Sequence, residues 1–133
     1  MSEKVNPLRI LVVGCGNMGS AHAMSYHTLD GFEICGLVST VKDKEALNEK
    51  LGGGYVLFTD YEEALKLTRP DAVCIATYPD THASFAIKAL ESGCHVFVEK
   101  PLADSVEDAG RVTEAARKAG KKLVIVYIFS NNP

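Results

Sequence analysis

The chain has 133 residues, 47% of them hydrophobic and 23% charged, with a formal net charge of −3. That length suits one domain, and that composition suits a packed core rather than disorder. The charge balance weighs against a nucleic-acid partner, which calls for a concentrated basic face, and no apolar run approaches the roughly 20 residues of a membrane span.

Taken in chain order, Leu8 to Val13 is a short apolar run ending at a glycine, which reads as a buried strand. A helix follows from Asn17 to about His27, then a second strand from Phe32 to Ser39. Asp43 to Leu51 reads as a helix stopped by Gly52-Gly53-Gly54. Tyr55 to Phe58 is a short third strand, and Asp60 is placed to cap a brief helix with Tyr61, Ala64 and Leu65 on one face. Asp71 to Thr77 is a fourth strand. Pro79 and Asp80 open a helix with Ala83, Ile87 and Leu90 at helical spacing, ended by Gly93. His95 to Val98 is the fifth strand. Ser105 and Asp108 resemble a capping box, with Asp in the Glu/Gln place, for a helix running to Ala119 and closed by Gly120. The basic residues Arg117, Lys118, Lys121 and Lys122 cluster where that helix ends and suit the negative end of its dipole. Leu123 to Phe129 is the sixth strand.

Strands that alternate with helices, and that are apolar nearly throughout, predict a parallel sheet covered on both faces. The leading topology is the doubly wound Rossmann fold of about six strands in the order 3-2-1-4-5-6, here occupying residues 1–133. The four cysteines, Cys15, Cys35, Cys74 and Cys94, match no zinc spacing and are expected as reduced packing residues. Cys94 and His95 would face opposite sides of a strand, so they cannot share an ion, and no metal is expected. Met1-Ser2-Glu3-Lys4 lacks the layout of a signal peptide, which leaves a cytoplasmic address as the default.

Gly14, Gly16 and Gly19 fit G-x-G-x-x-G between a strand and a helix. Gly14 permits the tight turn, Gly16 lets a diphosphate approach the backbone, and Gly19 lets helix and strand pack closely. The amides around Asn17 and Met18, at the helix start, are free to face the phosphates. A helix terminus stabilises an anion by about 0.3–1 kcal/mol, and by roughly 2 when partly buried. The rival reading, an S-adenosylmethionine-dependent methyltransferase, usually has an acidic strand end before its glycines, whereas Leu11-Val12-Val13 is uncharged.

An NAD site places an acidic residue about 20 residues past the glycines, on the adenosine ribose. That window is Val38-Ser39-Thr40-Val41-Lys42, with no carboxylate at the strand end and Asp43 only later, in the expected helix. A carboxylate beside a 2′-phosphate would be repelled by about 4 kcal/mol at 4 Å with an effective dielectric of 20. The hydroxyls of Ser39 and Thr40, with Lys42, could hold that phosphate, so NADP is the preferred cofactor over NAD.

The fourth strand leads into Ala76-Thr77-Tyr78-Pro79-Asp80-Thr81-His82, and the fifth into Glu99-Lys100-Pro101-Leu102. Both open onto the crevice of the glycine loop in a doubly wound sheet. With His22 after the glycines and the run from Ile75 to Ala103, the chain resembles the Gfo/Idh/MocA family, the glucose–fructose oxidoreductase and inositol dehydrogenase relatives. The resemblance implies a nicotinamide-dependent oxidoreductase of sugars or cyclitols. It implies that Lys100, ahead of Pro101, holds the reacting oxygen and stabilises negative charge. Glu99 and the segment from Thr77 through Tyr78 and Pro79 to His82 would line the nicotinamide ribose; a surface position at a helix start is the competing reading of His82. His22 is expected to be structural.

Family members continue into a second, α+β domain that supplies the substrate pocket, the usual dimer interface and an aspartate–histidine pair that moves the hydroxyl proton. No such half is found within this sequence. The chain is therefore expected to be the cofactor half of a longer, homo-oligomeric enzyme, binding dinucleotide with little or no turnover, and with Tyr127, Ile128 and Phe129 left exposed. A non-catalytic dinucleotide sensor is the alternative from another class.

Overall fold

The computed structural model describes residues 7–14, 17–28, 31–40, 43–99 and 102–126. The elements alternate as expected: β1 (Leu8–Val13), α1 (Asn17–Thr28), β2 (Phe32–Val38), α2 (Asp43–Lys50), β3 (Leu57–Phe58), α3 (Tyr61–Thr68), β4 (Ala72–Ile75), α4 (Pro79–Glu91), β5 (His95–Glu99), α5 (Val106–Ala119) and β6 (Leu123–Val126). The six strands form one sheet in the order β3-β2-β1-β4-β5-β6, and every neighbouring pair is parallel. Strand order reverses between β1 and β4, and that switch point sits beside Gly14.

The central strands carry the core. Ile10, Leu11 and Val12 of β1 and all of β4 are fully buried, and each large apolar side chain so placed contributes about 1.5–3 kcal/mol. Alternation sends Ile10, Val12, Ala72 and Cys74 to one face, where Ala23 and Tyr26 of α1 and Leu47 of α2 cover them. Leu11, Val13, Val73 and Ile75 face the other side, against Ala64 and Leu65 of α3, Ala86 and Leu90 of α4 and Val112 of α5.

Several boundaries differ from expectation for physical reasons. β3 shrinks to Leu57–Phe58 because the edge strand pairs only with Leu37 and Val38. β4 shrinks to Ala72–Ile75, although the amides of Asp71 and Ala76 still donate to the carbonyls of Arg9 and Val13. In α4 the buried stripe is His82, Ala86, Ala89 and Leu90, whereas Ala83 and Ile87 lie partly buried on its flank. Two small alanines let the helix settle closely on the sheet, and that contact decides which side faces inward. β2 bulges, since Ile10 pairs with Ile34 but Leu11 pairs with Gly36, which leaves Cys35 as the extra residue. The expected continuation of β6 through Tyr127, Ile128 and Phe129 lies outside the described residues.

Helix ends follow the sequence signals. Asp60 Oδ1 accepts from the amide of Glu62 at 3.0 Å to start α3. Ser105 Oγ accepts from the amide of Asp108 at 3.1 Å to start α5, and Gly120 closes that helix at φ 67°. The Asp108 carboxylate lies 3.8 Å from the Arg111 guanidinium. Ser105→Ala is expected to lower stability by about 1 kcal/mol, seen as a lower urea midpoint at unchanged slope. The N-cap of α4 is Tyr78, which makes no side-chain cap bond, and Pro79 takes the first turn, where its missing N–H costs nothing. No helix among the described residues is long and apolar enough to cross a membrane.

Candidate functional site

The carboxyl ends of β1, β2 and β4 open into a crevice of about 950 Å³. Its floor is the turn after β1. The Gly14 amide donates to the Val38 carbonyl at 2.8 Å, which joins the ends of β1 and β2. Gly14 has φ +96°, and a Cβ at this position would stand 2.7 Å from the Ala76 carbonyl carbon and nearer still to its oxygen. Only glycine satisfies both the backbone angle and the close approach of the loop after β4.

The wall after β4 is a chain of hydrogen bonds. Thr77 Oγ1 meets Thr81 Oγ1 at 2.6 Å, and Thr81 Oγ1 donates to the Tyr78 carbonyl at 2.6 Å. Beneath them His82 Nε2 donates to the Thr77 carbonyl at 3.0 Å. His82 is only 1% exposed, which overturns the reading of it as a surface residue. The opposite wall comes from β3 and α3, where Tyr61 donates its hydroxyl to the Phe85 carbonyl at 2.7 Å. Tyr78 stands at the rim, 81% exposed.

Of the residues expected in the site, Gly14, Ser39, Thr40, Ala76, Thr77 and Tyr78 line this crevice together. Asn17, Met18 and Gly19 open α1 directly after the glycine turn, and Pro79 opens α4 beside the rim. Gly16, Lys42, Lys100 and Pro101 lie outside the described residues. Two expected residues are directed elsewhere: His82 lies under the loop, and the Glu99 carboxylate accepts a hydrogen bond from His22 Nε2 on α1. Sequence reasoning missed Asp43 as a lining group. It counted Asp43 as part of a helix, which it is, but the first residue of α2 stands at the crevice beside Ser39 and Thr40. Thr59, Asp60, Tyr61 and Phe85 also line it; their polar–aromatic cluster after β3 was the available signal.

Three thiols are free and sheltered as expected, Cys35, Cys74 and Cys94. Burial pushes the Cys74 thiol up to about 12 and the Cys94 thiol up to about 11. Among the described residues no cluster of His, Cys, Asp or Glu could hold a metal ion. His95 accepts the Lys122 amide at Nδ1, 3.0 Å away.

A doubly wound parallel sheet with a glycine turn at its switch point and a crevice above it defines a dinucleotide-binding domain. A family model described as an oxidoreductase family with an NAD-binding Rossmann fold matches residues 8–127, and the chain belongs to that family, Gfo/Idh/MocA. This membership sets aside the methyltransferase reading. The chain is 35% identical over 126 residues to D-glucoside 3-dehydrogenase of Escherichia coli strain K12, covering 93% of this chain and 35% of that protein. It is 35% identical over 119 residues to inositol 2-dehydrogenase of Rubrobacter xylanophilus, covering 86% of this chain and 33% of the relative. The solved WlbA dehydrogenase from Bordetella pertussis, in complex with NADH and UDP-GlcNAcA, superposes with a TM-score of 0.84 at 28% identity, over 91% of this chain and 37% of that one. The chain thus spans about a third of the length of the curated relatives it matches.

Proposed function

We propose that the chain binds a nicotinamide dinucleotide along the crevice and serves as the cofactor half of an oxidoreductase of sugar or cyclitol hydroxyl carbons. The observation that carries this reading is Gly14, whose positive φ and close contact with Ala76 keep a cradle free of side chains at the switch point. The bound dinucleotide would supply the hydride acceptor or donor. The amides that open α1 face its diphosphate. Ser39 and Thr40 serve the adenosine ribose, and Ala76, Thr77, Tyr78 and Pro79 border the nicotinamide end. Lys100, directly after β5, holds the reacting oxygen and stabilises the charge that develops there. The D-glucoside and inositol dehydrogenases among the relatives support the polyol class of substrate.

These residues alone turn over little. Oxidation takes a hydride from the carbon and a proton from its hydroxyl oxygen, and none of the four histidines lines the crevice. His22 and His82 are buried, His27 shares a hydrogen bond with Tyr55, and His95 takes the Lys122 amide. Imidazole general acid–base help, worth roughly 10²–10⁴ in rate, is therefore not supplied by the described residues.

Of the two dinucleotides, NADP is preferred, with Lys42 and the hydroxyls of Ser39 and Thr40 holding the 2′-phosphate and Asp43 opposing it. Titration of the chain with NADH and NADPH tests this. Lys42→Ala is expected to abolish the selectivity, and Asp43→Asn to shift it about tenfold further toward NADPH, because the opposing charge is gone. Tighter NADH binding by the unaltered chain refutes the preference. Failure to bind either refutes the cofactor role.

A further inference from the structure

His22 and Glu99 are 77 residues apart in the chain, yet their side chains meet. The contact is sheltered, with 9% of the His22 side chain and 12% of the Glu99 side chain exposed. β5 alternates so that His95, Phe97 and Glu99 face α1, while Val96 and Val98 face the opposite side of the sheet. His22 lies on the first half of α1, which starts straight after the glycine turn. Glu99 ends β5 and directly precedes Lys100. Tyr26, one turn further along α1, packs on Phe97 at 6.3 Å between ring centroids and stacks beside His22 at 6.5 Å.

We propose that His22 is a positioning residue: through its hydrogen bond to Glu99 it fixes the end of β5, the strand that leads into Lys100, relative to the glycine-loop helix. The inference rests on the cofactor reading above. The two ends of this tie are held unequally. α1 is anchored independently, because Ala23 and Tyr26 are buried against β1, β2 and β4, and the glycine turn is fixed by Val38 and Ala76. Glu99, the last residue of β5, is held by the sheet on one side only: β4 ends its pairing at Ile75 opposite Val98, while Val126 of β6 still pairs with Glu99. Loss of the tie therefore frees the Glu99 end and leaves the diphosphate cradle in place. A sheltered carboxylate left without its donor also turns toward water, since an unpaired buried charge is costly.

The test separates the two halves of the cofactor. ADP carries the adenosine and diphosphate alone, whereas NADH and NADPH also engage the nicotinamide end. Calorimetry on the chain should find that His22→Ala weakens the tighter-binding of NADH and NADPH by about tenfold, the worth of one charge-assisted hydrogen bond, while ADP affinity moves by less than about twofold. His22→Gln keeps an N–H donor and is expected to restore most of the loss. Should His22→Ala fail to fold, Glu99→Gln reads the same contrast, because it keeps the side-chain volume and removes the charge. Equal weakening of ADP and the reduced dinucleotide, or no rescue by glutamine, overturns the positioning role while the cofactor reading stands. An unaltered chain that binds none of the three ligands overturns both.

Discussion

Gly14→Ala is expected to destabilise the chain by about 2–5 kcal/mol, the sum of a strained backbone angle and a forced contact. A second glycine provides the control. Gly31 has nearly the same angle, φ +94°, against +96° at Gly14, yet nothing lies within 4 Å of the Cβ it would gain. Gly31→Ala should therefore cost only the angle, about 1–2 kcal/mol. Urea denaturation of the two variants measures the difference directly, provided that the slope is unchanged. Dinucleotide titration adds a second reading. Gly14→Ala pushes the turn away from Ala76, at the place where the diphosphate would sit, and should lose binding more than about tenfold. Gly31→Ala should retain it. Equal destabilisation by both substitutions would mean that the Gly14 contact with Ala76 is slack, and the cradle would lose its structural basis.

The second large effect is a loss of stability in alkali. Burial raises Cys74 from 9.0 to about 12 and Cys94 from 9.0 to about 11. The phenols of Tyr26 and Tyr61 are also raised, first by burial, then by neighbouring thiols, Cys74 beside Tyr26 and Cys94 beside Tyr61. All four groups hold their protons more tightly in the folded chain than in the unfolded one. The unfolded chain thus releases protons first as the pH climbs. Their contribution is complete below about pH 9 and is lost as the pH rises through the folded values. Each such group removes up to about 1.4 kcal/mol per pH unit. Together they should remove several kcal/mol by about pH 11, a sizeable part of the stability of a small domain. Urea midpoints measured between pH 8 and pH 11 give the slope. Cys74→Ala should flatten it by up to about 1.4 kcal/mol per pH unit over the upper part of that range. A stability that stays level to pH 11 would contradict the burial of these four groups.

What the sequence by itself determined is the local grammar. Short apolar runs alternating with capped helices gave the strands and helices, because burial on both faces and the four orphan amides of a helix start leave plain marks on composition. Asp60, Ser105 and Gly120 cap as read. The glycine spacing marked the turn after β1, since only a residue without Cβ accepts that geometry, and right-handed crossovers then left little choice of strand order. Other features were decided only by the tertiary structure. On α4 Leu90 faces inward as read, but the centre of the inward face lies at His82, Ala86 and Ala89, with Ala83 and Ile87 on its flank; both sets satisfy helical spacing, and only contact with the sheet breaks the tie. The bulge at Cys35 leaves no sequence signal of its own, because it is a mismatch between two strands. It shifts the phase of β2, so that Leu37 faces α1 and α2 while Val38 faces α3. Asp43 reaches the crevice through the direction in which α2 leaves the sheet. His22 meets Glu99 because α1 lies on the sheet face to which Phe97 and Glu99 of β5 turn. Such pairings depend on how whole elements lie against one another, and no spacing along the chain encodes them.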